Sequence, residues 1–567
     1  MLDPALFERN MLAIASTHPV SSAERLRAAI ADTRLGMDVA RDGSPVPYMD
    51  YGGRRGYLHS RVDPAHEAER LAAQYDSSGF YVFLGLGAGY LARAILNADR
   101  LSRGIIVEYR AGTLRALLER LDLTRVLADR RLCLLVDPDP DELGRAIMER
   151  YVPAVSGDLI TVPLASRVNA ESERFQQAAG VVRSVLARVS DDYSVQAFFG
   201  KRWFANIVRN LRSAAGATPP VGPIREAAVT AAGPSLENSL EELAARPRGR
   251  FLIATDTSLC AITSGGIIPD AVVSIDCQHI SYYHFMGGIP ADVPLFLDLA
   301  SPPTLARLVK QPYFFTSGHP LARYVASRLR AFPQLDTSGG NVTHAAVSLA
   351  EYLGASTVDV YGADFSYPLG KSYARGTYIY SYFDIRQSRT TPQEGLFADF
   401  LFRNQALKRQ ADDAKSFRYL TKPLEAYLER LERLAEGSAT TIRRHRKQGA
   451  PSRTDYPGAV ARAPAPARMG RMFAAGRSFQ SPEKFLSSYL SDLQALPAPP
   501  RSGKASEAAL YLDGLEAESR DVWTTLLPAV AAFRREAGAG PSSGKRVLSD
   551  TREWSVEVVR EELKALS

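Results

Sequence analysis

VTAAGPSLENSLEEL, residues 229–243, and FLIATDTSLCAITSGGIIPDAVVSIDCQ, residues 251–278, decide the fold. Apolar runs at 229–232, 251–254 and 271–275 each end in small or polar residues, which is typical of parallel strands separated by helices. In such α/β sheets, ligands bind at the carboxyl ends of the strands. Three candidate ligand-binding sets follow these runs: Gly233, Pro234 and Ser235; Asp256 and Thr257; Asp276 and Gln278.

The first set predicts an anion site. Gly233 lets a ligand approach the backbone, and Pro234 suits the first turn of a helix, where its missing N–H costs nothing. Free N–H groups at such a turn bind anions. No Lys follows the turn, so the pattern is not a Walker loop. The alternative is a strand–turn–helix corner that holds no ligand.

Further strands are predicted at 294–299, 313–316 and 357–361. A Gly-rich loop precedes the last of them and leads into a helix with apolar residues at helical spacing. Its candidate binding residues are Ser338, Gly339, Gly340 and Asn341. Asp364 follows the strand at 357–361, where it either contacts a ligand or orders the strand end.

A tyrosine-rich stretch, SYPLGKSYARGTYIYSYFD at 366–384, comes next. It is polar, has little periodicity and follows a strand's carboxyl end, which is typical of an active-site lid. Lys371, Tyr373 and Tyr378 are its candidate catalytic residues. The alternative is an aromatic-rich surface loop.

Composition places the chain among globular proteins. Its 567 residues are 46% apolar and 23% charged, with a net charge of +7. Residues 443–447, RRHRK, form the strongest basic cluster, which we interpret as a solvated helix end rather than a nucleic-acid patch. Three scattered cysteines, no apolar run of membrane-spanning length and no basic leader predict a cytoplasmic protein without a membrane span.

The amino-terminal part has its own Gly-rich turn. The strand at 80–84 runs into GLGAG, and a second strand ends in Glu108, at a spacing that suits a ribose hydroxyl. The unit resembles the first motif of S-adenosylmethionine methyltransferases, but Phe83 and Leu84 stand where those enzymes have an acid. We therefore predict a structural Rossmann-like domain that binds no S-adenosylmethionine.

Domain boundaries are predicted from Gly/Pro-rich stretches and helical periodicity. We expect a Rossmann-like domain at 1–217, a central α/β domain at 218–400 and a helical carboxyl-terminal region at 401–567. In that region, Leu424, Leu428, Leu431 and Leu434 form one helix stripe. Further helices are expected at 483–496, 505–527 and 553–566, with a linker at 449–475 and a loop at 538–545.

Three motifs in order resemble the motility accessory factor family: AAGPSLENSL, IIPDAVVSIDCQ and TSGGNVTHAAVSLAEYLGASTVDVYGADFSYP. These are bacterial cytoplasmic proteins linked to glycosylation of flagellin. The same motifs are similar to those of bacterial sialyltransferases that use cytidine-monophosphate (CMP)-activated sialic acid. The resemblance implies transfer of a nonulosonic acid, such as pseudaminic or legionaminic acid, to Ser/Thr of flagellin, with no cofactor besides the CMP-sugar donor.

The resemblance also implies roles. The Ser235 turn and the Asn341 loop would hold the leaving phosphate, the tyrosine-rich lid would add donors, and Asp256 and Asp276 would contact the nucleoside. The sialyltransferases have a His base after the motif at Asp364, whereas the next His here is His445. The base is thus unassigned, with an Asp, a Tyr or the leaving phosphate itself as alternatives.

Two other interpretations remain. The central domain is also similar to archaeal hydroxymethylpterin pyrophosphokinases, in which Asp256, Asp276 and Asp364 would converge on Mg²⁺. A non-enzymatic flagellin-binding factor is the third. Neither the sugar, the acceptor residue nor the oligomeric state follows from the sequence.

Overall fold

A computed structural model describes residues 4–216, 218–403, 406–411, 416–446, 449–455, 471–474, 476–500, 505–538 and 546–566. The chain forms two compact units. The first unit comprises Met1–Lys201 and Leu493–Ser555, and the second comprises Arg202–Asp492 and Val556–Ser567. The sequence predicts three segments instead, and its boundaries at 217 and 400 stay predictions.

Elements up to residue 214 alternate between helices and strands. In chain order they are α1 (Pro4–Thr17), α2 (Val20–Ala28), β1 (Leu35–Val39), β2 (Pro45–Asp50), β3 (Arg55–Tyr57), α3 (Pro64–Ala72), β4 (Gly79–Leu84), α4 (Tyr90–Asn97), β5 (Leu101–Glu108), α5 (Ala111–Leu118), α6 (Thr124–Leu127), β6 (Leu132–Val136), α7 (Pro140–Arg150), α8 (Pro153–Ser156), β7 (Asp158–Pro163), α9 (Ala165–Ala170) and α10 (Ser172–Ala214).

The first unit is built on a parallel sheet in the order β6-β5-β4-β7. Every residue of β4, β5 and β6 is buried, because helices cover both faces of a parallel sheet. This explains the continuous apolar runs, and it confirms the predicted Rossmann-like arrangement. The short strands β1, β2 and β3 form a separate antiparallel sheet.

The rest of the chain begins with strands and ends with helices. The elements are β8 (Glu226–Thr230), the 3-10 helix η1 (Pro234–Ser239), α11 (Leu240–Ala244), β9 (Arg250–Thr255), α12 (Asp256–Ser264), β10 (Ala271–Ser274), the 3-10 helix η2 (His279–Phe285), β11 (Leu295–Asp298), α13 (Pro303–Ala306), β12 (Tyr313–Phe315), α14 (Pro320–Arg328), α15 (Val342–Tyr352), β13 (Thr357–Tyr361), β14 (Tyr367–Pro368), α16 (Tyr378–Asp384), α17 (Gln393–Phe402), β15 (Lys408–Ala411), β16 (Phe417–Leu420), α18 (Lys422–Gly437), β17 (Thr441–His445), α19 (Pro482–Ala495), α20 (Ala505–Asp513), α21 (Ala517–Ala537) and α22 (Val547–Leu566).

The second unit is built on a larger parallel sheet. Within the described residues its order is β12-β11-β10-β9-β8-β13-β17, with parallel pairing throughout. The strand order reverses between β8 and β13, and in open α/β sheets ligands bind outside the carboxyl ends of strands at such a reversal. A small antiparallel sheet, β14-β16-β15, holds the start of the tyrosine-rich stretch.

The predicted strands of both sheets are confirmed, as is the helical carboxyl-terminal region, where Leu431 is fully buried on α18. One interpretation is wrong. Residues 441–445 form β17 rather than a solvated helix end, and Arg443 pairs with Asp359 at 2.7 Å. The helix predicted after Gly233 is confirmed and begins as a 3-10 helix, and the stretch predicted as a lid contains helix α16. Most of the predicted linker at 449–475 and the loop at 538–545 lie outside the described residues.

Candidate functional site

The carboxyl edge of the large sheet gathers several predicted site residues around Asp256. Asp256 begins α12 and is 2% exposed. Its Oδ1 accepts from the backbone N–H (2.6 Å) and the hydroxyl (2.9 Å) of Thr257, and its Oδ2 accepts from the Ser274 hydroxyl at 2.6 Å. Because both oxygens already have donors, Asp256 is placed to support a neighbouring group rather than to contact a nucleoside directly.

That neighbour is His284, on helix η2. His284 Nδ1 lies 3.4 Å from Asp256 Oδ2, with the imidazole 11% exposed and the carboxylate 2% exposed. The separation is that of an ion pair, and Nδ1 has no hydrogen bond that is well aligned with any described residue. The His284 ring also packs against the Tyr378 ring, with centroids 4.5 Å apart.

The charges of this pair are mutually supporting. Burial opposes ionisation of the Asp256 carboxyl, but His284, Ser274 and Thr257 outweigh burial and hold its pKa below the usual value. Burial likewise disfavours the imidazolium, but Asp256 and Asp276 outweigh it and raise the pKa of His284. The arrangement thus favours a charged or hydrogen-bonded imidazole beside a carboxylate.

Asp276 and Gln278 follow β10 on the same edge. Asp276 Oδ1 accepts from the backbone N–H of Gln278 at 2.9 Å, which fixes the turn. Burial, together with repulsion from Asp256, raises the pKa of Asp276. Both side chains are only half-buried, so they are better placed than Asp256 to contact a ligand.

The three lid candidates have different surroundings. Tyr378 lies in the cluster, where burial and Asp256 raise its pKa. Tyr373 lies close by, and burial with the charges of Tyr378 and Asp256 raises its pKa. Lys371 Nζ, by contrast, pairs with Glu237 Oε1 at 2.6 Å, which ties the lid to helix η1.

The Gly233–Ser235 turn is used by the protein itself. The N–H of Gly233 donates to the Gly362 carbonyl at 2.8 Å, that of Ser235 donates to Asp364 Oδ2 at 2.8 Å, and Pro234 has none. Burial raises the pKa of Asp364 to about 6. The Asp364 side chain therefore lies where the strand order reverses, between the carboxyl ends of β8 and β13. This favours the interpretation that Asp364 orders the strand end, and the Gly233–Ser235 turn has no free N–H for an anion.

The Asn341 loop retains a free donor. Asn341 caps α15, with its Oδ1 accepting from the backbone N–H of His344 at 3.1 Å. Its Nδ2 is buried without a hydrogen-bond partner among the described residues. The N–H groups of Ser338 and Gly340 are bonded within the loop, and the Tyr427 ring packs at Gly340. A side chain at Gly339 would collide with His344, whose pKa burial lowers to about 4.

The structure thus brings together Asp256, Thr257, Asp276, Gln278, Tyr373 and Tyr378. It places Gly233, Pro234, Ser235 and Asp364 in a closed corner and Lys371 in an ion pair. Sequence reasoning missed His284, because the family pattern points to a His after Asp364. The signal available was a His on the segment that follows Asp276, one strand away from Asp256.

The Gly-rich turn of the first unit is also closed. Glu108 is 1% exposed, accepts from the backbone N–H of Leu86 at 2.7 Å and pairs with Arg167 at 3.1 Å. His59 Nε2 accepts from the backbone N–H of Ala88 at 2.9 Å. The interpretation of Glu108 as a ribose ligand is therefore wrong, because its buried carboxylate is already bonded to Leu86 and Arg167 within the unit.

In the described part of the chain, no group of three or more His, Cys, Asp or Glu side chains is arranged to hold a metal ion. Nor is any described helix long and apolar enough to cross a membrane.

Three comparisons place the chain among known proteins. The structure is similar to the solved structure of MAf glycosyltransferase from Magnetospirillum magneticum AMB-1, with a TM-score of 0.63, 14% identity, and 100% of this chain and 95% of that chain covered. At this identity the likeness is one of fold. A family model described as 6-hydroxymethylpterin diphosphokinase MptE-like matches residues 201–370.

Two relatives from Treponema pallidum (strain Nichols), both uncharacterized proteins, match in sequence. One is 35% identical over 159 residues, and the match spans 27% of this chain and 56% of the relative. The other is 31% identical over 166 residues, which are 29% of this chain and 79% of the relative. The chain therefore belongs to the same protein family as this second, uncharacterized Treponema pallidum protein.

Proposed function

We propose that the second unit transfers a nonulosonic acid from a CMP-activated donor to Ser or Thr hydroxyls of flagellin, in the cytoplasm and with no cofactor besides the donor. The observation that carries the proposal is the polar cluster of Asp256, Asp276, His284 and Tyr378 at the carboxyl edge of the large sheet. The fold likeness to a glycosyltransferase supports it.

The proposed chemistry uses polar groups of the second unit. The bond from the anomeric carbon to the phosphate breaks with its electron pair leaving on CMP, and the acceptor oxygen bonds to that carbon. Charge develops on the leaving phosphate, so pre-positioned donors lower the barrier. Asn341 Nδ2, which has no described partner, and the hydroxyls of Tyr373 and Tyr378 are the proposed donors. Asp276 and Gln278 are the proposed nucleoside contacts.

The test is transfer by the purified full-length chain. Recombinant flagellin is incubated in turn with CMP-N-acetylneuraminate, CMP-pseudaminate and CMP-legionaminate, and its intact mass is measured. We expect a mass increase of one or more sugar residues with at least one donor. Unchanged flagellin with all three donors contradicts the proposal.

The variant Asn341→Asp tests whether the Asn341 loop holds the leaving phosphate. The aspartate keeps an oxygen to cap α15, so folding is preserved, but it replaces the amide donor with a negative charge facing the leaving phosphate. Loss of such a donor costs roughly 10²–10³ in turnover. Asn238→Asp, on an exposed residue of helix η1, is the control and should transfer normally. Normal transfer by Asn341→Asp moves the phosphate site elsewhere.

The family-model match over residues 201–370 favours a second candidate, a pterin diphosphokinase. This function predicts that the protein converts ATP to AMP when Mg²⁺ and 6-hydroxymethylpterin are present. The carboxylates proposed for its metal are not gathered, because Asp364 is bonded to Ser235 while Asp256 pairs with His284. AMP formation without sugar transfer would replace the glycosyltransferase proposal with this one.

A further inference from the structure

We propose that His284, oriented by Asp256, is the base that removes the proton from the acceptor hydroxyl. The inference rests on the proposed glycosyl transfer and assigns the one group that the family resemblance leaves open. His284 is a catalytic residue in this proposal, and Asp256 is a positioning residue.

Geometry supports the orientation. The Asp256 carboxylate is fixed by three hydrogen bonds from Thr257 and Ser274, so it cannot turn away from His284. An imidazole whose Nδ1 faces a carboxylate keeps its proton on Nδ1, which leaves Nε2 as the proton acceptor. His284 Nε2 makes no hydrogen bond to any described residue, and the side chain retains 11% exposure.

The second support is the position of helix η2. It contacts α12, α13 and α16, and it exposes Ile280, Tyr282 and Tyr283 by 40–46%, followed by Met286 at 65%. His284 thus lies between a buried carboxylate and an open apolar surface, where an acceptor polypeptide can reach it.

The step balances. As the acceptor oxygen bonds to the anomeric carbon of the donor, its proton passes to His284 Nε2. The carbon–oxygen bond to the phosphate breaks, and CMP leaves with the electron pair. Asp256 stabilises the imidazolium formed, which afterwards returns its proton to water.

The titratable groups around His284 set its pH dependence. They are Asp256 and Cys260 on α12, Asp276 after β10, and Tyr378 and Tyr382 on α16, with Cys260 Sγ donating to the His284 carbonyl at 3.1 Å. The base must be neutral to act, and the carboxylates raise its pKa above the ordinary 6.5. The transfer rate should therefore rise with pH through a midpoint above 6.5.

The experiment compares His284→Gln with His279→Gln, an exposed histidine on the same helix. General-base catalysis contributes about 10²–10⁴ in rate. His284→Gln should therefore lower kcat by at least about 10²-fold and abolish the pH midpoint of the transfer rate. Its CMP affinity should stay within about threefold of wild type. His279→Gln should match wild type in all three. Asp256→Asn should move the midpoint to lower pH, a change that a merely structural role would not produce.

The two failures are distinguishable. If wild-type protein neither binds CMP nor modifies flagellin, the proposed function fails. If wild type transfers sugar and His284→Gln does so at the same rate with the same pH profile, only the assignment of His284 is overturned.

Discussion

The two parallel sheets begin alike and end differently. In each, a buried first strand runs into a glycine-containing turn, and the following strands end in acids. In the first unit the acid that ends β5, Glu108, pairs with Arg167, with both side chains 1% exposed, and His59 occupies the turn. In the second unit Asp256 pairs with a histidine that stays partly exposed.

The difference shows that a Gly-rich turn does not by itself predict a ligand site. Glycine permits close approach, but whether a ligand or the protein makes that approach depends on distant side chains. At Gly87, a Cβ would lie 2.6 Å from His59 Nε2, and at Gly85 it would lie 2.7 Å from Arg167 Cβ. The first turn is therefore packed by side chains of its own unit, whereas His284 at the other edge stays partly exposed.

The largest effect is expected at the closed edge. Glu108→Gln leaves the buried Arg167 guanidinium without its carboxylate, and breaking a buried pair costs about 3–5 kcal/mol of unfolding free energy. Glu8→Gln is the control, since Glu8 and Arg27 form an ion pair in which both side chains are more than half exposed. Its cost should be below about 1 kcal/mol. Urea denaturation measures both, and equal small losses would contradict a structural role for Glu108.

The corresponding change at the other edge should affect turnover. Asp256→Asn removes the charge that orients His284 and should lower transfer by roughly 10²–10³-fold, equivalent to about 3–4 kcal/mol. Asp384→Asn, an exposed carboxylate ending α16, is the control. The measurement is the initial rate of flagellin modification at saturating donor. A fall in CMP affinity with unchanged turnover would instead favour the nucleoside-contact interpretation of Asp256.

Sequence patterns predicted the elements that are buried on both faces. The runs at β4 and β6 are continuous and apolar because both of their faces lie under helices. Edge strands gave weaker signals. β7 is only partly buried. β17 is stabilised by an ion pair between Arg443 and Asp359, two residues that are 84 positions apart in the sequence. No local pattern reports such a pair.

The same limit applies to the site. Asp256, Asp276 and Tyr378 were predicted because strand ends and a lid converge in α/β folds. His284 was not, because its partner is set by how helix η2 packs on α12. The Ser235 turn was assigned to an anion because its N–H groups look free in sequence, whereas Asp364, 129 positions away, takes one of them.

A smaller effect concerns pH and the closed edge. Burial, with repulsion from Arg93, lowers the pKa of His59 to about 4, against 6.5 when unfolded. As pH falls below 6.5 the unfolded chain takes up a proton that the folded chain refuses, so stability is lost between pH 6.5 and about 4. The loss amounts to ~2 kcal/mol by pH 5. His59→Gln should remove this part of the slope, whereas exposed His66→Gln should not; identical slopes in both variants would contradict the closed turn.

The smallest effect compares ligands directly. A ligand that binds only the folded state at ten times its Kd stabilises by about 1.4 kcal/mol, which is roughly 3–6 °C in Tm for a unit of this size. We expect CMP to raise the Tm in this way, because the His284 edge is open, and S-adenosylmethionine to leave it unchanged, because Glu108 and His59 already occupy the other turn. Asn341→Asp should abolish the CMP shift, since the added charge repels the phosphate. A shift with S-adenosylmethionine that persists in Asn341→Asp would place a ligand at the closed turn and reverse the comparison, because the unit would then have to release Glu108 from Arg167 to bind it.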